Sequence, residues 1–297
     1  MPRVNPLEEL TQINLDDLVN AFGVQNQPMF DRAVRFVFHG AARKFARQMI
    51  DYDATIAKCG LADASRQTER LYVRDVRVFG LDHLPAGPIL ALSNHPGMTD
   101  TLALFCVLNR DNLKIIALNR PFLLTLPNLH KQLFYVTDDS NERVAMVRRG
   151  SAHLRNGGSI LTFPAGHTEP DPDVYDSALE SLKTWTDSAS VFIRFAQETA
   201  ILPIVVRNVV WDKAANHPLI RLKRTLDERE LLAVALELLS MVMFDLKPVT
   251  VKIQIGRPIN VKELGMNDTQ TIHQAVLDEM KRLIEKPPKG DGVSALL

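Results

Sequence analysis

The feature that most constrains the fold is a change in sequence texture near residue 72. Before that point, the apolar positions of residues 6–70 recur at helical spacing and strand signals are few. After it, short apolar runs alternate with stretches of helical character, which is typical of a three-layer α/β sheet with helices on its faces. The predicted strands are 71–80, 88–94, 113–119, 133–137, 158–164, 200–208 and 249–256, and the predicted helices are 99–109, 140–156, 176–199, 226–246 and 268–285.

The same change divides the chain into two predicted parts. Residues 1–70 form an N-terminal helical region, and residues 71–297 form an α/β domain. A chain of 297 residues is long enough for one large α/β domain, or for one such domain with a smaller part. The last residues, KPPKGDGVSALL (286–297), are predicted to be a frayed tail after the final helix.

Charge and composition exclude several classes of partner and location. Lys+Arg and Asp+Glu number 35 each, so no global field attracts nucleic acid, and attraction to a membrane must come from a local patch. Cys59 and Cys106 form no CxxC pair, which indicates reduced thiols. The first residues are acidic where a signal peptide is basic and then apolar, and no apolar run approaches the roughly 20 residues of a membrane span. We expect a cytoplasmic protein, free or peripheral on the inner face of the membrane.

A histidine and an aspartate stand five positions apart directly after the predicted strand 88–94. In a chain with eight histidines this spacing alone says little, and His273 and Asp278 share it. The second pair lies inside a predicted helix, where five residues leave the two side chains about 140° apart and unable to converge. The significance of the first pair therefore depends on its context.

The context of His95 favours convergence. It follows the apolar run ILAL at the end of a strand, where α/β sheets bind ligands, and Pro96-Gly97 then forces a turn. Thr99 or Asp100 can cap the next helix, which would bring the carboxylate to one ring nitrogen and raise the basicity of the other. A turn histidine beside an N-cap aspartate fits this segment equally well.

A second turn follows the predicted strand 158–164. Its residues Phe163-Pro164-Ala165-Gly166 end in a glycine that would let the backbone approach a ligand closely, with N–H groups available to a developing oxyanion. An ordinary loop at the end of a strand is the alternative. His167, beside the turn, could orient an acceptor or have no role.

Together and in this order, these segments resemble the glycerolipid acyltransferase superfamily, which includes lysophosphatidic acid and glycerol-3-phosphate acyltransferases. The family's first block, Asn-His-x-x-x-x-Asp, is similar to the end of FGLDHLPAGPILALSNHPGMTD (79–100). Its third block, Phe-Pro-Glu-Gly-Thr-Arg-Ser, is similar to FPAGHTE (163–169), and its fourth, an apolar stretch with a central proline, to ILPIVV (201–206). The resemblance covers about residues 76–208 and implies a glycerol-3-phosphate acyltransferase-like fold.

The resemblance also implies a mechanism without a covalent acyl-enzyme. His95 would be the general base that takes a proton from an acceptor hydroxyl, and Asp100 would orient the imidazole. The donor would be an acyl thioester, acyl-CoA or acyl carrier protein, and the acceptor a lipid or an alcohol, as in phospholipid biosynthesis. Substrate binding would fall to Asn94, Phe163, Pro164, Gly166 and His167. We expect no cofactor, and no motif for a metal site is present in the sequence.

Departures from the family pattern concern the recognition of phosphate. The glutamate of the third block is Ala165 here and its arginine falls at Thr168, while the Asp-Arg expected after the strand LFYVT is replaced by residues 137–139, Thr-Asp-Asp. Those arginines would hold an acceptor phosphate through bidentate hydrogen bonds. We therefore expect an acceptor other than plain glycerol 3-phosphate. Nearby arginines stand on a predicted helix and are expected to be solvated: Arg143, Arg148 and Arg149.

The segment RAVRFVFHGAARKFAR (32–47) bears on membrane contact. It has five basic residues and no acid, and its basic residues lie at helical spacing opposite Val34, Val37, Ala41 and Phe45. It is either an interfacial helix or a helix packed on the α/β domain with a solvated basic face.

Two other functions remain open at this point. A hydrolase could use His95 to activate water against a thioester or ester. A non-catalytic relative that binds acyl lipids is suggested by Ala165 and Thr168, although such a protein would have no need of both His95 and Asp100.

Overall fold

The computed structural model describes residues 5–137, 139–262, 265 and 268–297. Residues 1–4 of the predicted helical region and Asp138 therefore lie outside the described residues. The α-helices are α1 (Pro6–Phe22), α2 (Pro28–Tyr72), α3 (Thr99–Leu108), α4 (Pro121–Leu124), α5 (Pro127–His130), α6 (Ser140–Arg155), α7 (Ala178–Ser181), α8 (Ser188–Phe195), α9 (Asp212–Ala215), α10 (Leu226–Phe244) and α11 (Thr269–Glu285). The strands are β1 (Asp75–Phe79), β2 (Ile89–Ser93), β3 (Leu113–Leu118), β4 (Leu133–Val136), β5 (Ser159–Thr162), β6 (Ala200–Arg207), β7 (Thr250–Ile255) and β8 (Val293–Ser294).

The described strands form one mixed sheet in the order β4-β3-β5-β2-β6-β7-β1-β8. The central strand β2 is parallel to β5 on one side and to β6 on the other. Ile89 and Ala91 of β2 belong to one core cluster with residues of α2 and α3, whereas Leu90 and Leu92 belong to a second cluster with residues of α6, α8 and α11. Since alternate side chains of a strand point to opposite faces, helices cover both faces of the sheet. The predicted three-layer α/β fold is confirmed.

The N-terminal helices fold onto this domain as a bent hairpin. Gly60 interrupts α2 with φ +84°, a conformation that favours glycine. The hydroxyls of Tyr52 and Ser65 are 2.9 Å apart, and Tyr72 donates to Gln48. In a continuous helix the first pair would be about 20 Å apart, so the segment after Gly60 folds back along the segment before it. Residues of α2 share a core cluster with the sheet. The division at residue 70 into two parts stays a prediction.

The predicted helix 176–199 is wrong in its continuity. The structure has α7, a 3₁₀ turn at Leu182–Thr184, and then α8. The break falls at Trp185, which has extended backbone angles and donates its indole N–H to the buried carboxylate of Glu169 over 2.7 Å. A tertiary hydrogen bond therefore overrides the local helical pattern.

The tail that was expected to fray is also ordered. β8 pairs antiparallel with β1, and the N–H of Ala295 donates to the carbonyl of Val76 over 2.9 Å. Arg70 on α2 donates to the carbonyl of Leu296, whose side chain is buried in the core cluster shared by α2 and the sheet. The sequence prediction missed this strand because two glycines and two prolines dominate the segment and the strand has only two residues.

We expect the buried position of Leu296 to contribute to stability. Leu296 is 7% exposed and Leu297 is 100% exposed. Leu296→Ala should lower the free energy of unfolding by about 2 kcal/mol, because it removes buried methyl groups. The matched change Leu297→Ala should alter it by less than about 0.5 kcal/mol. Urea denaturation measures both, and equal effects of the two substitutions would contradict the seating of the C-terminus.

Candidate active site

Three loops meet at one edge of the sheet because β2, β3, β5 and β6 run parallel. The carboxyl ends of parallel strands lie at the same edge, where α/β folds bind ligands. His95 follows β2, Arg120 follows β3 and Phe163 follows β5. The turn after His95 and the turn that begins at Phe163 lie close together because β2 and β5 are adjacent parallel strands.

His95 and Asp100 converge at this edge. The Nδ1 atom of His95 lies 2.8 Å from Oδ2 of Asp100, and Asp100 is fully buried while the His95 side chain is 32% exposed. Because an ionised carboxylate can only accept, Nδ1–H is the donor, and Nε2 is left with a lone pair. Asp100 therefore orients the imidazole of His95, and the His95 side chain is accessible to solvent.

Asp100 is held by more than the imidazole. Its Oδ2 also accepts from the N–H of Gly97 over 3.0 Å, and its Oδ1 accepts from the Thr101 hydroxyl over 2.9 Å. The expected N-cap role of Thr99 or Asp100 is wrong: the N-cap of α3 is Met98, without a side-chain hydrogen bond. Asp100 is the second residue of α3. Its carboxylate therefore accepts from the N–H of Gly97 in the preceding turn, and not from the first amides of the helix.

The control pair behaves differently, as the helical geometry predicted. His273 and Asp278 both lie in α11. Asp278 accepts a hydrogen bond from Gln274, four residues earlier on the same helix. Identical spacing therefore gives a dyad only where a turn replaces the helix.

The electrostatic surroundings favour the protonated imidazole. Burial opposes protonation of His95, but the negative charge of Asp100 and the hydrogen bond to it act in the other direction, and Glu169 adds to them. Their combined effect exceeds that of burial and raises the pKa of His95 above its ordinary value of 6.5, although Arg120 opposes the rise. Asp100 thus makes His95 a stronger base.

Asn94 is bound to the neighbouring strand. Its amide N–H donates to the carbonyl of Val206 and its amide oxygen accepts from the N–H of Val206, both over 2.8 Å, and the residue is 3% exposed. The side chain imitates a peptide group and extends the pairing of β2 with β6 beyond the end of β2. Its predicted contact with substrate stays a prediction. In the structure, the Asn94 side chain fixes the backbone directly before His95 to β6.

The second turn packs against the imidazole. The rings of Phe163 and His95 have centroids 4.6 Å apart, which restricts the orientation of the imidazole. Pro164 is buried, and its carbonyl accepts hydrogen bonds from Thr186. Gly166 has φ +72°, but its N–H donates to the carbonyl of Phe163 over 3.0 Å, so this N–H is engaged within the turn.

His167 is exposed beside that turn. Its Nδ1 atom lies 2.8 Å from the carbonyl oxygen of Ala165, so the ring folds back on its own loop. A role for His167 in binding substrate stays a prediction, as it does for Phe163, Pro164 and Gly166.

Two buried acids support the site and were missed by the sequence analysis. Glu169 accepts from the backbone N–H of His95, and its own N–H donates to the carbonyl of His95 over 2.9 Å. Asp171 accepts from the N–H groups of Asn208, Val209 and Val210, which follow β6. The signal is the run Glu-Pro-Asp-Pro-Asp (169–173): proline favours extended backbone, so acids at alternate positions reach neighbouring strand ends.

Arg120 was also missed. It is exposed at the carboxyl end of β3 and is close enough to His95 to oppose protonation of the imidazole. It therefore supplies positive charge at the site, where the family's two arginines are absent. The arginines that were expected to be solvated on a helix are exposed on α6: Arg143, Arg148 and Arg149.

A further carboxyl group is buried near the dyad. Glu69 on α2 is fully buried, and neither of its carboxyl oxygens has a hydrogen-bond partner among the described residues. Burial, and then the negative charge of Asp100, raise the pKa of Glu69 well above its ordinary range. Both effects favour the neutral form of the Glu69 carboxyl group.

The described residues contain no group of three or more His, Cys, Asp or Glu side chains arranged to hold a metal ion.

We expect His95 to titrate above pH 6.5, and its pKa to fall in Asp100→Asn because the negative charge that favours the imidazolium is lost. NMR of the imidazole, assigned with a His95→Ala sample, measures this directly. Asp278→Asn, which changes the aspartate of the control pair, should leave the titration of His95 unaltered. Identical titration of His95 in wild type and Asp100→Asn would contradict the electrostatic account.

Comparison with known proteins identifies a matching family and similar solved structures. Residues 75–207, from the start of β1 to the end of β6, match the model of the Acyltransferase family. No curated protein matches the chain significantly. Among seven matching solved chains is the crystal structure of a 1-acyl-sn-glycerophosphate (LPA) acyltransferase, PlsC, from Thermotoga maritima, which is 17% identical, covers 92% of this chain and 97% of its own, and has a TM-score of 0.43. The resemblance drawn from the sequence motifs is confirmed at the level of the family match, which covers residues 75–207 and so includes His95 and Asp100.

Proposed function

We propose that this protein transfers a fatty acyl group from an acyl thioester, acyl-CoA or acyl carrier protein, to a hydroxyl of a lipid-like or glycerol-based acceptor. The observation that carries the proposal is the 2.8 Å contact between His95 Nδ1 and the buried Asp100 at an accessible strand end of an acyltransferase-family segment. The family match supports acyl transfer in general. The donor, the acceptor and the role of His95 are our proposals.

In the proposed reaction, Nε2 of His95 takes the proton of the acceptor hydroxyl as its oxygen attacks the thioester carbonyl. The carbon–oxygen bond forms, the carbon–sulfur bond breaks, and the imidazolium returns its proton to the leaving thiolate. Asp100 stabilises the imidazolium through Nδ1–H without taking the proton. A positioned base of this kind contributes about 10²–10⁴-fold to the rate.

The acceptor is proposed to differ from plain glycerol 3-phosphate. Ala165 and Thr168 stand where the family has its glutamate and arginine, and neither can form a bidentate contact with phosphate. Arg120 offers one guanidinium near the imidazole, which suits an anionic group on donor or acceptor, whereas the family pattern supplies two arginines. An acceptor recognised largely through its apolar part fits this arrangement.

The first test is product analysis with labelled acyl-CoA. We expect transfer to components of a lipid extract, and a loss of about 10²–10⁴-fold in His95→Ala because the proposed base is missing. His273→Ala, the histidine of the control pair, should retain wild-type rates. Mass spectrometry identifies the acylated products.

Three results would contradict parts of this proposal. Undiminished transfer by His95→Ala would remove the base. Consumption of thioester at a rate unaffected by any acceptor would indicate a hydrolase instead. Saturable, efficient use of glycerol 3-phosphate would contradict the proposal about the acceptor.

We also propose peripheral contact of α2 with a lipid surface. The described helices include none that is long and apolar enough to cross a membrane. Of the apolar positions expected to face a membrane, Phe45 packs in the core, as in the alternative of a helix packed on the α/β domain. Instead, the first turns of α2 expose large apolar side chains to solvent: Met29 (82%), Phe30 (59%), Phe36 (87%) and Val37 (60%).

The charges on this helix give less attraction than the sequence suggested. Arg35 pairs with Asp16 and Asp31, Arg43 pairs with Glu8, and Lys44 pairs with Asp245. Because these ion pairs partly neutralise the basic residues of α2, the exposed apolar side chains give the stronger attraction to a lipid surface. A bilayer is the partner that covers such side chains without requiring a specific complementary surface.

Phe36→Ser should therefore weaken binding to vesicles of mixed zwitterionic and anionic lipids by about three- to tenfold, since it removes one large apolar group from the interface. Sedimentation with the vesicles measures the bound fraction. Phe195→Ser is the matched control, because Phe195 is 52% exposed at the end of α8 on the opposite layer. Equal loss in both variants, or no binding by wild type, would contradict this surface.

A further inference from the structure

Glu169 stands out because a buried carboxylate contacts the main chain of His95 rather than its side chain. Glu169 is 1% exposed. Its Oε2 atom lies 3.3 Å from the backbone nitrogen of His95, and its own backbone N–H donates to the carbonyl of His95 over 2.9 Å. The two segments that follow β2 and β5 are therefore joined on both sides of the His95 backbone.

The other carboxylate oxygen is fixed by a different part of the chain. Oε1 accepts from the indole N–H of Trp185 over 2.7 Å and from the hydroxyl of Ser181 over 3.0 Å. In all of these bonds Glu169 is the acceptor, which suits the ionised form of a carboxylate. Burial raises the pKa of Glu169, and these three donors, from two parts of the chain, oppose that rise because they stabilise the charged form.

The position of Glu169 also brings its charge to the imidazole. The charged groups whose fields reach the ring of His95 are Asp100 and Glu169, which favour the imidazolium, and Arg120, which opposes it. Asp100 holds the ring through Nδ1, and Phe163 limits its tilt. Glu169 instead contacts the backbone N–H and carbonyl of His95, from which the ring projects.

We propose that Glu169 is a positioning residue for His95, which fixes the backbone of the base and places a second negative charge near the imidazolium that forms during transfer. This inference rests on the proposed role of His95 as base. Because a small displacement of a catalytic group costs one to two orders of magnitude in rate, a residue that fixes the backbone of the base affects kcat without touching substrate.

The test separates charge from position with two variants. Glu169→Gln keeps the size of the side chain and removes the charge, and it should lower kcat by about 10–10²-fold and shift the acid limb of kcat/KM to lower pH. Glu169→Asp keeps the charge but shortens the side chain, and it should lower kcat while leaving the acid limb close to its wild-type position. The KM for the acceptor should change little in either variant.

Asp171→Asn is the matched control, because Asp171 is a buried carboxylate on the same segment that binds the loop after β6 instead of His95. It should reduce stability without shifting the acid limb. Thermal unfolding of each variant identifies loss of fold. If Glu169→Gln does not fold, a lower kcat in folded Glu169→Asp supports the positioning role, and an unchanged kcat contradicts it.

NMR titration of His95 in wild type and Glu169→Gln keeps the inference distinct from the proposed function, because it requires no turnover. A lower pKa of His95 in Glu169→Gln is expected. An unchanged titration and unchanged kcat in a folded Glu169→Gln or Glu169→Asp variant would overturn the inference, whereas absence of acyl transfer by wild type would overturn the proposed function alone.

Discussion

The hydrogen bond between His95 and the buried carboxylate of Asp100 is the interaction on which the rest of the site depends. A fully buried carboxylate is stable only when its charge is compensated. Here the compensation comes from the imidazole, from the N–H of Gly97 and from the hydroxyl of Thr101. The same contacts fix the turn after β2, orient the ring and raise the pKa of the base. Local structure and proposed chemistry therefore have one common cause.

Neighbouring strand ends are joined by buried acids. Glu169 connects the segment after β5 to the backbone of His95, and Asp171 connects the same segment to the loop after β6. That loop lies close to the dyad, since a side chain at Gly97 would come within 3.0 Å of Val209. Glu169 accepts from the backbone N–H of His95, and Asp171 accepts from three backbone N–H groups after β6, so amides at the strand ends have partners. The active edge of the sheet is thus held by charge-assisted hydrogen bonds, while its two faces are held by apolar packing.

Sequence patterns predicted the parts of this molecule that depend on local periodicity. The seven longer strands, the three-layer arrangement and the convergence of His95 with Asp100 follow from apolar runs and turn residues. The patterns failed where a distant contact decides the conformation. Trp185 interrupts a helical stretch to bind Glu169, and β8 forms because α2 and β1 receive the tail. Glu169 itself was missed because its partner is a backbone 74 positions away: the run Glu-Pro-Asp-Pro-Asp (169–173) indicates extended backbone but does not identify that partner.

The pH dependence of kcat/KM for acyl transfer, measured for wild type and Asp100→Asn, tests the central claim most directly. If neutral His95 is the base and Asp100 raises its pKa, wild-type kcat/KM should increase with pH through a limb above 6.5. In Asp100→Asn the limb should move to lower pH, and the plateau should fall by about 10²–10⁴-fold as the imidazole loses its orientation. A wild-type profile without such a limb, or an Asp100→Asn profile that coincides with it, would contradict the account.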